Sequence, residues 1–241
     1  MYDRRYESSV LSFEPSGGLM NAALVMRDKE TDSWWSIMTG NAIGGDLEGT
    51  PLVEFPASEK TTWVNWRTRY PQTMVLSVDG KEHFDHNPYE GYFASTEGFR
   101  GLETEDKRLP GKEPVYAFTL DGKPYAATHA EVEGGVVFKV GNTKEVFLYR
   151  ATGASVFAST AAYVAEIEGD TGRFIKTDEK WFDSSTGAEF SKEAGFPTAD
   201  GTSGSVGDES KKSPPRRLNG FDTFWYVWSR THKDVHLVGR E

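Results

Sequence analysis

A cluster of large aromatic rings between residues 61 and 71 most constrains the fold of this chain. Trp63, Trp66 and Tyr70 stand at positions i, i+3 and i+7, so a helix would place the three rings on one face. Pro71 cannot continue such a helix, which would therefore end before it. Three residues could serve as the N-cap: Ser58, Thr61 and Thr62.

The same design returns near the C-terminus. Trp225, Trp228 and His232 repeat the spacing i, i+3 and i+7. Asp222 precedes them as a candidate N-cap. We therefore predict two short helices with matched Trp pairs, carried by two similar structural units.

Short apolar runs separated by turn residues predict strands elsewhere in the chain. There are 25 Gly and 11 Pro among 241 residues, which favours many turns and short elements over long helices. We predict a mainly β protein, α+β at most, with two similar antiparallel β-rich units and one short Trp-bearing helix in each. The predicted units are residues 1–80 and 114–241, with an aromatic connector at residues 81–113 and a flexible insertion at about 199–217.

A second spacing indicates an internal duplication. Trp34 precedes Thr39 by five residues, and Trp181 precedes Thr186 by the same number. Each pair is followed by a Trp-bearing segment and then by an apolar strand, which in the first copy would be residues 73–78. We predict from this order that one β-rich unit occurs twice; chance matching of Trp-rich segments is the alternative.

Charge and composition exclude several classes of protein. The formal net charge of −10 disfavours binding to a nucleic-acid backbone or to an anionic membrane. Cysteine is absent, so disulfides, thiolate metal sites and cysteine nucleophiles are excluded. No apolar run approaches about 18 residues, so no transmembrane helix is predicted. Residues 1–5 lack the apolar segment of a signal peptide, so we expect a protein that stays where it is made or one whose targeting segment has been removed.

One predicted hairpin holds the candidate ligand-binding residues. Asn21 interrupts an apolar run of strand length, and a buried amide must find partners because leaving it unpaired costs about 1–3 kcal/mol. Asp28 and Thr31 lie in the following polar turn and can close the hairpin with side-chain hydrogen bonds. With Trp35, Asn21 and Asp28 would form a polar cleft floored by aromatic rings, suited to a small organic or sugar-like ligand. Thr39 completes the candidate set, and hairpin scaffolding is the alternative interpretation.

A second candidate site lies in the connector. His83, Asp85 and His86 form a His-Phe-Asp-His run, and two histidines with a carboxylate suit a metal ion when they lie close together. No distant further ligand is marked by spacing, so we favour a solvated loop here. No cofactor is predicted.

Many landmarks of the chain fall in the order found in a known family. They are residues 21–31, 33, 35–36, 39–40, 42–43, 49–52, 61–63, 66, 70–71, 73, 75–76, 87–89, 91–92, 108–110 and 112–113. In these residues the chain resembles the family catalogued as domain of unknown function 3179. Its members are mostly bacterial and archaeal, often carry an export signal and have no agreed activity, so the resemblance implies an extracytoplasmic location and no particular reaction.

The chain departs from that family in one respect. Members usually have a Cys-Pro strand motif upstream of the hairpin, and this sequence contains no Cys. A truncated N-terminus, an alternative start, or a divergent member that has lost the motif would each explain the difference.

The sequence favours binding over catalysis. No nucleophile elbow, phosphate-binding Gly loop or zinc-binding helix motif is present. We therefore predict a soluble ligand-binding or structural module without complete catalytic machinery. An enzyme, either a hydrolase or a metal-assisted one, with a polar-aromatic cleft around Asn21 is the alternative, and a subunit of a larger protein assembly is the second alternative. The partner would be a small organic or sugar-like ligand or another protein, without nucleic acid.

Overall fold

The predicted mainly β class is confirmed. The computed structural model describes residues 1–55, 60–77, 88–169, 171–197 and 213–239. Strands account for 38% of the residues and helices for 12%, in several antiparallel sheets with four short helices. None of the helices in these ranges has the length and apolar character that a membrane span requires.

The chain divides into two compact units, each assembled from separate stretches of sequence. The first unit comprises Met1–Ser58, Gly91–Glu113 and Thr223–Val235. The second unit comprises Glu59–Glu90, Pro114–Asp222 and His236–Glu241. The linear division at residues 80 and 113 that the sequence suggested stays a prediction.

The N-terminal part of the first unit is a small antiparallel sheet preceded by a hairpin. The strands are β1 (Arg5–Tyr6), β2 (Ser9–Val10), β3 (Phe13–Met20), β4 (Ala23–Asp28), β5 (Trp34–Ser36) and β6 (Ala42–Gly44). The sheet has the order β3-β4-β5-β6, and β1 pairs with β2. Leu11, Trp35 and Ala42 form its buried core, against which Phe13 and Met26 pack. The predicted hairpin therefore corresponds to β4 and β5.

The turn between β3 and β4 corrects the placement of Asn21. Asn21 and Ala22 both have positive φ, at 52° and 64°, and Met20 pairs with Ala23 across them. A two-residue hairpin turn of this kind needs left-handed backbone at both positions, which Asn tolerates. The prediction that Asn21 lies inside a strand is wrong. The sequence does not mark this turn, because its second residue is alanine, which is not a typical turn residue.

In the remaining part of the first unit, the connector packs against the second Trp-bearing helix. The elements are α2 (Glu90–Ala94), a 3-10 helix (Phe99–Gly101) and α4 (Trp225–Thr231). The indole Nε1 of Trp225 donates to the Asp106 carbonyl at 2.9 Å, and the hydroxyls of Tyr226 and Tyr92 lie 2.8 Å apart. The rings of Tyr92 and Phe99 are in edge contact. The described part of the connector therefore packs by its rings.

The second unit contains most of the strands. They are β7 (Pro114–Leu120), β8 (Lys123–Thr128), β9 (Val136–Val140), β10 (Lys144–Tyr149), β11 (Ala161–Glu166), β12 (Phe174–Thr177), β13 (Lys180–Asp183), β14 (Arg216–Arg217), β15 (Gly220–Phe224) and β16 (His236–Leu237), with the helix α3 (His129–Val132). The sheet orders are β15-β7-β8-β16, β14-β11-β10-β9 and β12-β13. β16 runs parallel to β8. The pairs β7–β8, β9–β10, β10–β11, β11–β14 and β12–β13 are antiparallel. An aromatic core centred on Phe147 includes Tyr163, Phe174 and Phe190.

The first Trp-bearing helix is α1 (Trp63–Arg69), in the second unit. The Oγ1 of Thr62 caps it by accepting from the amide of Asn65 at 3.2 Å, so this predicted cap is confirmed. The helix has no buried residue. Residues 73–77 after it form no regular strand, so the strand predicted there is wrong over its described part.

The second Trp-bearing helix, α4, differs from α1 in its cap and in its burial. Its N-cap is Phe224, without a side-chain hydrogen bond, so the prediction that Asp222 caps it is wrong. Trp225 is fully buried, whereas Trp63 is 46% exposed. The two segments share a helical length of seven residues but lie in different surroundings.

Candidate ligand-binding cavity

An open cavity of about 650 Å³ lies in the first unit, beside the β4–β5 hairpin. The segment from Tyr2 to Arg5 forms one wall, and residues of β4 and β5 form another. Most of the lining is apolar. The apolar lining residues are Val10, Phe13, Met26, Trp35, Ile37, Leu52 and Phe55.

Trp35 provides a rigid floor to this cavity. Its side chain is almost completely buried, and its ring meets the ring of Phe13 edge-on, with centroids 5.8 Å apart at 85°. The indole Nε1 donates a hydrogen bond to Oδ2 of Asp28 at 2.8 Å. Because one end of the indole is held by this bond and its face is held by packing, the ring has one orientation.

Asp28 holds the indole from behind the cavity. Its buried carboxylate also accepts from the amide of Thr31 at 2.6 Å, from the Thr31 hydroxyl at 2.9 Å and from the amide of Ser33 at 3.2 Å. Burial raises the pKa of Asp28, but the hydrogen bonds from Trp35, Thr31 and Ser33 outweigh it and leave the pKa below its ordinary value. Asp28 is therefore ionised at neutral pH and closes the hairpin as the sequence predicted.

Charged residues stand in the wall formed by the N-terminal segment. The guanidinium of Arg5 forms a fork with the carboxylate of Asp3, with Nε and Nη2 at 2.9 and 2.6 Å from Oδ2. Hydrogen bonds from Arg5 lower the pKa of Asp3. Arg4 also lines the cavity, and within the described part of the chain its side chain has no hydrogen bond or ion pair.

Tyr2 closes one side of the cavity. Burial, together with the nearby carboxylate of Glu54, raises the pKa of Tyr2 to about 12, so its hydroxyl stays protonated and donates to the Met38 carbonyl at 3.2 Å. The ring passes so close to Gly40 that a Cβ there would lie 2.4 Å from Tyr2 Cε1. With a φ of 71°, Gly40 is the residue type that this close approach requires.

The structure brings together only part of the predicted ligand set. Trp35 lines the cavity and Asp28 positions it. Asn21 lies at the other end of β4 from Asp28, roughly 20 Å along the strand at 3.3 Å per residue, and its Nδ2 donates to the Arg230 carbonyl at 3.2 Å. The Thr39 hydroxyl accepts from the amide of Asn41 at 3.3 Å, and Thr39 does not line the cavity.

The predicted metal ligands His83, Asp85 and His86 lie outside the described residues. Within the described ranges, no group of three or more His, Asp or Glu side chains is arranged to hold a metal ion.

Sequence reasoning missed a buried polar cluster around Asp222 in the second unit. The Asp222 carboxylate accepts from the Thr160 hydroxyl at 2.7 Å, and lies 3.1 Å from His129 Nε2 and 3.3 Å from Arg150 Nη1. Burial raises the pKa of Asp222, while hydrogen bonds from His129 and Thr160 and the charge of Lys60 bring it below its ordinary value. An Asp between Phe and Thr in a strand was the available signal, but His129 lies 93 residues away, so spacing could not identify the pair.

A second missed cluster joins Glu145, Arg173 and Asp183, all of them buried. Arg173 donates to both oxygens of Asp183, at 2.7 and 3.0 Å. One oxygen of Glu145 accepts from the amides of Arg173 and Phe174 at 2.6 and 2.7 Å. These carboxylates are satisfied from within the chain, as buried polar groups in folded proteins usually are.

Comparison with known proteins gives one match. The family described as "Protein of unknown function (DUF3179)" matches residues 1–235. No curated protein and no solved structure matches the chain.

Proposed function

The chain belongs to this family of proteins of unknown function, DUF3179, and we propose that it acts as a ligand-binding module whose first unit takes a small organic molecule in the cavity over Trp35. The observation that carries this proposal is the cavity itself, with about 650 Å³ of open space above a ring held in one orientation. Sites for small molecules commonly have roughly 300–1,000 Å³ and a mainly apolar lining. A cavity of this size and lining suits a ligand of one or two fused rings.

The lining favours an apolar organic molecule over a sugar-like one. A sugar needs several hydrogen-bonding side chains directed at its hydroxyls, whereas this lining consists largely of aliphatic and aromatic side chains. Burial of apolar ligand surface would supply about 25 cal/mol per Å². The half-buried ring of Phe13 and the exposed ring of Phe55 offer aromatic surface against which a flat ligand can pack, above the buried indole of Trp35.

The carboxylates near the cavity support binding rather than catalysis. Asp28 is buried behind Trp35 with its oxygens occupied by four donors, and Asp3 is paired with Arg5. A general base must be within hydrogen-bond reach of the proton that it removes. Neither carboxylate therefore offers a lone pair to a molecule in the cavity, which disfavours the predicted hydrolase around Asn21.

A neutral fluorescent probe tests the proposal. N-phenyl-1-naphthylamine becomes bright in apolar sites, and we expect saturable binding to the wild-type protein. Val10→Trp should weaken that binding at least tenfold because Val10 lines the cavity and is exposed enough to accept a larger side chain. Val53→Trp is the matched control, since Val53 is also exposed but is not a lining residue. Absence of saturable binding, or equal binding by both variants, would refute the proposal.

The prediction of a subunit in a larger assembly has one observation in its favour. Met74 and Leu76 are each more than 90% exposed, and Val75 between them is 63% exposed. Consecutive exposed apolar side chains of this kind mark interaction sites or aggregation hazards. Measurement of the molecular mass in solution tests this alternative, and a monomer that stays monomeric at high concentration would count against assembly with further copies.

A further inference from the structure

The charges around the cavity indicate the class of ligand, on the condition that the proposed binding function holds. We propose that the ligand is an amphipathic organic monocarboxylate, with its apolar body over Trp35 and its carboxylate on the guanidinium of Arg4. Three observations lead to this assignment: the pairing of Asp3 with Arg5, the unpaired state of Arg4 and the neutral state of Tyr2.

The first observation is that two of the three charged lining residues neutralise each other. Arg5 binds Asp3 through Nε and Nη2, with the shortest contact at 2.6 Å. The amide of Arg5 also donates to Asp3 Oδ1 at 3.0 Å. The negative charge of Asp3 is therefore neutralised, and both of its carboxylate oxygens already accept hydrogen bonds from Arg5.

The second observation is that Arg4 stands in the same wall without a partner of its own. Its side chain forms no hydrogen bond and no ion pair in the described part of the chain, although the chain as a whole carries a net charge of −10. Its backbone is held in place, because its carbonyl accepts from the amide of Leu11 at 2.9 Å. The lining thus carries one uncompensated positive charge on a fixed segment.

The third observation concerns Tyr2, the remaining titratable lining residue. A tyrosine hydroxyl is protonated at neutral pH, and the pKa of Tyr2 is raised further to about 12, so Tyr2 adds no negative charge. Glu54 lies close to Tyr2 but is not a lining residue. One positive charge beside an apolar floor complements a ligand with one negative charge and an apolar body.

The chemistry of the guanidinium also indicates which anionic group the ligand carries. Arginine presents two parallel N–H donors that match the two oxygens of a carboxylate, and charge-assisted pairs of this kind are roughly twice as strong as neutral hydrogen bonds. A multiply charged group such as a phosphate would carry an excess of negative charge that Arg4 alone does not balance. A neutral amide of the same shape keeps the apolar contacts and loses the charge pairing.

The test compares two ligands that differ only in charge. Displacement of bound N-phenyl-1-naphthylamine is measured with 2-naphthoate and with 2-naphthamide on the wild-type protein and on Arg4→Gln. We expect 2-naphthoate to displace the probe from the wild-type protein at a concentration at least tenfold lower than 2-naphthamide. Arg4→Gln should bring this ratio close to one, with each displacement expressed relative to that variant's own affinity for the neutral probe.

The matched control is Arg67→Gln, which removes the same charge from an exposed arginine of α1 that does not line the cavity. It should keep the wild-type ratio. Equal displacement by the two ligands in the wild-type protein, or an unchanged ratio in Arg4→Gln, would overturn the assignment of Arg4 and leave the binding function standing. Failure of the neutral probe to bind at all would instead refute the binding function.

Discussion

At the scale of single residues, Asp28 determines both the shape of the hairpin and the orientation of the cavity floor. Asp28→Asn replaces one acceptor oxygen by an amide donor that faces the donors of Thr31 and Trp35. We expect a loss of about 1–3 kcal/mol in the free energy of unfolding, which is the cost of leaving buried donors unsatisfied. Urea denaturation measures this loss, and weaker binding of N-phenyl-1-naphthylamine should accompany it.

The neighbouring Asp32 supplies a matched control for that substitution. Asp32 is exposed, and its φ of 57° lies in the left-handed region that Asn tolerates. Its ion pair with Arg27 lies on the surface, where such pairs contribute little to stability. Equal stability losses in Asp28→Asn and Asp32→Asn would contradict the role assigned to Asp28.

A second residue-scale prediction concerns His232, whose ring contacts that of Trp228 with centroids 4.0 Å apart and ring planes at 43°. Burial lowers the pKa of His232, and its Nε2 is buried without a hydrogen-bond partner among the described residues. The unfolded chain therefore takes up a proton at higher pH than the folded chain, so stability is lost as the pH falls through the unfolded pKa of about 6.5 toward the folded one. His232→Phe keeps an aromatic ring against Trp228 and should reduce the loss of stability between pH 7 and 5, measured by urea denaturation at each pH. An identical pH dependence in the two proteins would show that His232 is not the titrating group.

Among single residues, local interactions of the site could be predicted from the sequence, whereas contacts made by distant segments could not. Asp28 and Thr31 could be predicted because their interaction is local, over three residues. Trp35 could be placed in an aromatic floor because it follows in the same hairpin. Arg4 could not be found, since only the folded chain brings the N-terminal segment beside β5.

At the scale of elements, two segments 147 residues apart share particular backbone features. They are residues 34–42 and 181–189. In each, a glycine with φ near 72°, Gly40 or Gly187, donates its amide to the carbonyl four residues earlier. In each segment the second residue also forms a β-bridge with the last one, Trp35 with Ala42 and Phe182 with Glu189. These agreements favour the internal duplication predicted from the sequence, which stays a proposal.

The two Trp-bearing helices show the limit of sequence patterns for whole elements. Both contain a ring pair at i and i+4, Trp66 with Tyr70 in α1 and Trp228 with His232 in α4. In each pair the backbone amide of the second residue donates to the carbonyl of the Trp, at 2.8 Å in α1 and 2.9 Å in α4. These local features follow from spacing. Burial does not follow from it, because α4 contacts a connector more than 100 residues away along the chain.

The prediction at this scale concerns the buried ion pair that joins the start of β12 to the end of β13. Arg173→Met leaves the Asp183 carboxylate buried without its charge partner, and we expect a loss of about 3–5 kcal/mol in the free energy of unfolding. Lys180→Met is the control, because Lys180 pairs with Glu189 on the surface and should change stability by about 0–1 kcal/mol. Chemical denaturation compares the two variants. A loss in Arg173→Met as small as that in Lys180→Met would show that the pair does not hold this hairpin.

At the scale of the whole molecule, both units depend on buried carboxylates. Asp28 lies in the first unit, and Asp183 and Asp222 lie in the second. In each of the three, burial raises the pKa but is outweighed by hydrogen bonds, so the pKa lies below its ordinary value in the folded chain. The fold is therefore linked to proton binding at places far apart in the sequence.

This linkage predicts how the protein responds to acid. A carboxyl group with a lowered folded pKa contributes stability that is present above the unfolded pKa of about 3.9 and is lost as the pH falls through the folded pKa. The unfolding free energy should thus fall steeply below about pH 4, with a slope of up to about 1.4 kcal/mol per pH unit for each such group. Urea denaturation between pH 6 and pH 3 at fixed salt measures the slope, and Asp28→Asn should show a shallower one because it lacks one of the linked groups. Asp32→Asn is the matched control, because it makes the same substitution at an exposed carboxylate. A constant or rising stability toward pH 3, or equal slopes in the two variants, would contradict the dependence of the fold on these carboxylates.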